Sequence, residues 1–199
     1  MKSRQKRPLT AYEWGLKNNS CSEAMEWRKG LGPRATQRDA WKRCHRSEWM
    51  IWQLGRLPIE IQIELKPPLT RVFNKIVARS VRKHARHCPA ESVRAWAKGW
   101  LSWADRTEKS AIAARDTSRA AASAAAYAAA SAARFAAGAT TWYIPIEAAI
   151  EVALNAAWGV ASDPRVATGA AAWNAARNAE SKRQARDIRY EIPEWPGEV

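Results

Sequence analysis

Thirty of the seventy residues between Ala111 and Glu180 are alanine, and that tract restricts the fold more than any motif in the chain. Alanine loses no side-chain entropy in a helix and ranks first in helix propensity, whereas strands are poor in it. The second half is therefore expected to be helical. One helix should run from 107 to about 137 and stop at Gly138, which suits a left-handed cap, and a second from Pro145 to near Gly159. A third should open at Asp163-Pro164, a capping residue with proline in the first helical position, and end before Pro193. Small side chains let helix axes approach closely, and Tyr127, Phe135, Trp142, Trp158 and Trp173 would then fill the remaining gaps.

The first half has a different character. Of the 33 Lys+Arg and 19 Asp+Glu that give the chain its charge of +14, residues 1–100 hold 22 basic and 8 acidic side chains, and residues 101–199 hold 11 of each. The whole positive excess precedes the alanine tract. With 199 residues and no Gly/Ser linker, the chain reads as a single helical domain, 1–199, in which a basic, Trp-rich half (1–104) adjoins a neutral Ala-rich half (105–199). The fold class is all-α, a multi-helix bundle with short Trp-bearing N-terminal helices and long Ala-rich C-terminal ones.

Local signals place those short helices. Ser20-Cys-Ser-Glu23 and Thr36-Gln-Arg-Asp39 fit the capping box, in which a hydroxyl caps one backbone amide and an acid three residues on reaches back; helices at 21–29 and 37–45 should follow, separated by Gly30-Leu-Gly-Pro33. A third, from Ser47 to Arg56, carries Trp49 and Trp52 on one face. Ile59-Glu-Ile-Gln-Ile-Glu-Leu65 alternates like a strand, but Ile59 with Ile63 and Ile61 with Leu65 are also helix neighbours, and a lone strand would leave both edges unpaired; helix is preferred. From Leu69 to Cys88 a buried stripe recurs at three- and four-residue steps, with Pro67-Pro68 before it and Pro89 after it. The next helix, from Glu91, should stack Trp96, Trp100 and Trp103 on one side and run on or break near Asp105.

The opposite face of the 69–88 helix carries Arg71, Lys75, Arg79, Arg82, Lys83 and Arg86, a cationic ridge. Such a ridge can neutralise the carboxylates of an acidic protein or the phosphates of a nucleic acid. A solvated charged face is the ordinary alternative, and the two readings weigh about equally. Reading of base sequence is not expected, since no zinc-finger spacing, RNA-recognition signature or helix-turn-helix turn is present.

Other chemistry finds little support. His84 and Cys88 share a helix face, but His87 points elsewhere and neighbouring cations would repel a dication, so no metal is expected. There is no phosphate-cradling glycine loop and no nucleophile elbow; no catalytic residue or cofactor is assigned, and the chain is read as non-enzymatic. Glu23, Glu26 and Glu48 lie near tryptophans that can raise a carboxyl pKa by desolvation, although capping explains them as well. Three scattered cysteines, Cys21, Cys44 and Cys88, suggest reduced thiols, the start lacks an apolar signal region, and the uncharged stretch 120–133 is too short to span a bilayer. A cytoplasmic protein without membrane contact is expected.

Three segments together carry a family resemblance: Cys21-Ser-Glu23-Ala24-Met-Glu-Trp27; Ala40-Trp41-Lys-Arg-Cys44-His-Arg46-Ser-Glu48-Trp49-Met50-Ile-Trp52; and the closing Ile192-Pro193-Glu-Trp195-Pro196. With the Ala-rich second half, they resemble the Ala-rich all-helical immunity protein family of phages and bacteria. The resemblance implies an all-α fold and a role in binding and neutralising a toxin. The unusually basic stretch 66–89 departs from that family and suits an acidic target. The expected function is a cytosolic, immunity-like protein that binds an acidic protein partner through its basic surface, with Trp27, Trp41, Trp49 and Trp52 serving structure. The alternative is a phage-encoded, sequence-nonspecific DNA- or RNA-binding protein that uses the same ridge and the Lys2–Arg7 arm.

Overall fold

Capping chemistry decides where the first helices begin. The computed structural model describes residues 7–83, 85–120 and 170–197, all in an all-α arrangement. Helix α1 (Ala11–Lys17) opens with a complete capping box, Thr10 with Glu13, which the sequence reading did not anticipate. Arg7 clasps the same Glu13 carboxylate, and these bonds together hold it down to about pKa 2. The Thr36–Asp39 box forms as expected and starts α3 (Gln37–Arg43). A bridge between Thr10 and Thr36 ties the two starts together.

The Ser20–Glu23 box does not form. Asn19 takes a positive φ of 56°, and the Ser20 amide donates back to the Gly15 carbonyl at 3.0 Å, so Ser20 closes α1 instead of opening the next helix. Helix α2 (Ser22–Gly30) then starts from Cys21, without a side-chain cap. At Gly15 the two helices approach so closely that a β-carbon would lie 2.7 Å from Met25 Sδ and 2.8 Å from Arg28 Cδ.

Helix α4 spans Ser47–Leu54 and α5 spans Ile59–Glu64, confirming helix over strand for the alternating segment. Leu65 is buried and Ile61 packs against the core, while Ile59 and Ile63 face solvent. Helix α6 covers Lys66–Lys83, which differs from the expected 69–88 at both ends. Pro67 and Pro68 lie inside its first turn, where a missing N–H costs nothing. Its far end gives way to a 3₁₀ turn, Ala85–His87, before buried Cys88. Of the expected stripe, Leu69, Val72, Phe73, Ile76, Val77, Ser80 and Val81 form the buried face of α6, Cys88 is buried beyond its end, and His84 lies outside the described residues.

Helix α7 (Glu91–Leu101) buries Trp96 and Trp100, but Trp103 leaves their side. The helix has already ended, Trp103 has φ 66°, and its ring is 68% exposed with Arg106 stacked 3.3 Å from the ring centroid. A break near Asp105 follows as expected, where the carboxylate accepts from the Thr107 amide and hydroxyl and from the Ser110 hydroxyl at the start of α8 (Glu108–Ala120). The remainder of the expected 107–137 helix, the helix from Pro145 and the opening at Asp163-Pro164 lie outside the described residues.

The last described helix, α9 (Ala170–Glu191), packs against α6 and α4. Its contact with α4 is a polar layer: the Ser181 hydroxyl accepts from the Ser47 amide at 3.0 Å and donates to Glu48 Oε2 at 2.8 Å, while the Ser47 hydroxyl donates to Gln184 Oε1 at 2.7 Å. Beyond α9 the chain turns inward. Trp41 Nε1 donates to the Ile192 carbonyl at 3.1 Å, and the Trp195 ring sits between Trp14 and Trp41, at 5.7 and 5.5 Å. One hydrophobic cluster therefore runs from Trp41 through α4, α6 and α7 to Ile188 and Trp195. Among the described residues no helix is long and apolar enough to cross a membrane.

Candidate partner-binding surface

The six ridge residues divide into two groups. Helix α6 needs an apolar stripe toward the core, which turns Arg71, Lys75 and Arg79 toward α9, lying antiparallel alongside. There they meet acids. Arg71 Nε lies 2.6 Å from Glu191 Oε2 and Lys75 Nζ lies 2.7 Å from Glu191 Oε1. Arg79 Nη1 lies 2.6 Å from Asp187 Oδ2, and its Nη2 is 3.4 Å from Glu180 Oε1. Lys75 and Arg71 hold the Glu191 carboxyl below its ordinary pKa. Arg82, Lys83 and Arg86 are exposed and make no ion pair among the described residues.

Helix α9 also contributes cations that the sequence reading did not assign. Lys75, Arg79, Arg183 and Arg186, with Asp187 and Tyr190, line an open groove of about 450 Å³ between α6 and α9. Three of these four cations already have acidic neighbours, Lys75 in Glu191, Arg79 in Asp187 and Glu180, and Arg183 in Glu180 at 3.8 Å, while no ion pair is formed by Arg186 among the described residues. Tyr190 is 78% exposed at the groove, with Lys75 Nζ 4.5 Å from its ring centroid. An exposed tyrosine beside arginines, in a concave surface, is the composition that recurs at interaction hot spots.

Elsewhere, two of the three acids near tryptophans, Glu23 and Glu48, are ion-pair members, while Glu26 is exposed. Glu48 is enclosed, and burial alone would raise its pKa. Its own backbone N–H, Ser181 and Arg46 outweigh burial and hold it below the ordinary value, so desolvation does not create a proton donor there. Glu23 pairs with the same arginine, at 2.7 Å from Arg46 Nη1. Among the described residues no group of His, Cys, Asp and Glu is placed to hold a metal ion; His84 lies outside them, and Cys88 is in the core.

The acids of α9 that pair with the α6 cations left a trace in the sequence. Glu180, Asp187 and Glu191 recur at seven- and four-residue steps, the spacing of one helix face, which marks an acidic stripe able to meet the α6 cations. No protein-family model, curated protein or solved structure matches this chain.

Proposed function

We propose that this chain is a non-enzymatic, cytosolic binding protein that captures an acidic protein partner in the groove between α6 and α9. The observation that carries the proposal is that Lys75, Arg79, Arg183 and Arg186 line one groove with an exposed Tyr190. Arg82, Lys83 and Arg86 extend the positive surface toward the end of α6. Contact there runs through Lys83, Arg183, Arg186 and Tyr190, with Arg71 and Lys75 held by Glu191 and Arg79 by Asp187 and Glu180.

Placement of the internal acids favours a protein over a nucleic acid. Asp187 and Glu191 interrupt the cationic row at successive turns of α9, so an unbroken line of phosphates would meet them, whereas a folded partner can set individual carboxylates between them. The resemblance to immunity proteins adds the expectation that capture blocks the partner's activity. Affinity capture from a lysate of the source organism tests the proposal, comparing the natural chain with Lys83→Glu/Arg183→Glu/Arg186→Glu. An acidic protein retained at low salt by the natural chain and lost by the variant supports it. Retention by both forms, or release of the captured material by nuclease, overturns it.

A further inference from the structure

On a different face, a second cavity is lined by Ser20 and Cys21 before α2, Trp27 and Arg28 on α2, and Trp49 and Trp52 on α4. Its volume is about 290 Å³, close to the lower end of the ~300–1,000 Å³ typical of small-molecule pockets. Two walls are aromatic: the Trp27 and Trp49 rings lie 5.5 Å apart at 46°, and Trp52 stands edge-on to Trp14 behind it.

The polar part of the wall is out of balance. Arg28 is 2% exposed and pairs with no carboxylate. Its Nη1 donates to the Ala11 carbonyl at 2.9 Å and to Gln37 Oε1 at 2.7 Å, its Nε lies without an acceptor, and its Nη2 makes no hydrogen bond among the described residues. Burial pushes its pKa down to about 10, so it remains a cation at neutral pH. Ser20 Oγ, at the same cavity, is buried with no partner. Glu48 does not supply the missing charge, because Arg46 Nε at 2.5 Å cancels it and the Ser181 hydroxyl donates to its other oxygen. The Trp14 ring, 5.0 Å from the Arg28 guanidinium carbon, gives it a cation–π neighbour but no counter-charge. A buried charge without a carboxylate partner is costly, and its retention beside a cavity walled by indoles points to a counter-ion that arrives from outside.

A cationic ligand does not fit this arrangement. The faces of Trp49 and Trp52 already carry Arg46 and Arg56 at 4.7 and 5.0 Å, so the indoles offer little further attraction to positive charge, and Arg28 repels it. An anion with a flat apolar body satisfies both halves of the wall. We propose that this cavity is a binding site for a small aromatic carboxylate, with its ring against Trp27, Trp49 and Trp52 and its carboxylate on Arg28. The site stands independently of the α6/α9 groove, which lies between other helices.

Isothermal titration of the full chain with benzoate and indole-3-carboxylate, against benzamide and benzylammonium as neutral and cationic controls, tests the chemistry. Alkylation of Cys21 by iodoacetamide locates the site, because Cys21 lines the cavity and is exposed whereas Cys44 and Cys88 are buried. The carboxylates should bind at least about tenfold more tightly than benzamide, the ratio one charge-assisted hydrogen bond supplies, and should slow alkylation of Cys21. Arg28→Met should erase the preference for carboxylate over amide. Trp27→Leu, at a partly buried position against the core, should weaken both while the helical circular-dichroism signal is kept. Arg183→Glu/Arg186→Glu should leave carboxylate binding unchanged. Equal affinity for acid and amide, tighter binding of benzylammonium, no binding at millimolar concentration, or unprotected Cys21 in the presence of bound carboxylate each overturns the proposal.

Discussion

Trp41→Phe tests how the two ends of the chain are held together. Trp41 is fully buried, and its indole N–H bonds a carbonyl 151 residues away, at Ile192, while its ring touches Trp195. Phenylalanine keeps a six-membered ring but removes the donor and part of the bicycle. An acceptor left unpaired in the interior costs ~1–3 kcal/mol. The lost ring volume adds ~1 kcal/mol, a fraction of the ~3–5 kcal/mol for full truncation of a buried aromatic. The expected total is about 2–4 kcal/mol, a sizeable share of the ~5–15 kcal/mol that keeps a domain folded. Equilibrium urea unfolding reads it as a lower midpoint at an unchanged slope. Trp103→Phe, on a ring 68% exposed, is the matched control and should cost less than ~0.5 kcal/mol. Equal costs for the two substitutions would refute the claim that the closing segment is anchored through Trp41.

Other outcomes follow from single contacts. Glu191→Gln removes the acid that holds Arg71 and Lys75, and because exposed ion pairs are worth at most ~1 kcal/mol, partner affinity should rise by no more than about fivefold, with a steeper salt dependence; surface plasmon resonance reads the change. Glu48 has a folded pKa below its ordinary 4.5, so its stabilisation is fully present above that pH and is lost as pH falls through the folded value; Glu48→Gln should flatten the acid side of a melting-temperature profile. Thr36→Ala should cost about 1 kcal/mol in chemical denaturation through loss of the α3 cap. Gly15→Ala should cost ~1–3 kcal/mol by forcing Met25 and Arg28 aside, again measured by denaturation.

The α6 stripe was legible because seven buried side chains repeat at helical steps, a signal that any neighbouring element preserves. The alternating segment resolved as helix because Ile61 and Leu65 needed the same core while Ile59 and Ile63 could remain wet. Helix α1 was hidden although Thr10 and Glu13 carry the same box as Thr36 and Asp39, because the cations before it resembled a solvated arm. Ser20 misled for a local reason: its amide was already committed to Gly15. The pairing of α6 cations with α9 acids depends on docking helices 101 to 120 residues apart, which no local window contains. For the same reason the unpaired Arg28 could not be foreseen, since its surroundings come from α1, α3 and α4.

An arginine footprint of the isolated partner complex with phenylglyoxal, read by mass spectrometry, measures the binding surface directly. Arg183 and Arg186, both exposed in the free chain, should become protected, while exposed Arg34 on the far loop reacts as before. Protection of Arg34 with Arg183 and Arg186 still fully reactive would place the interface elsewhere and contradict the account.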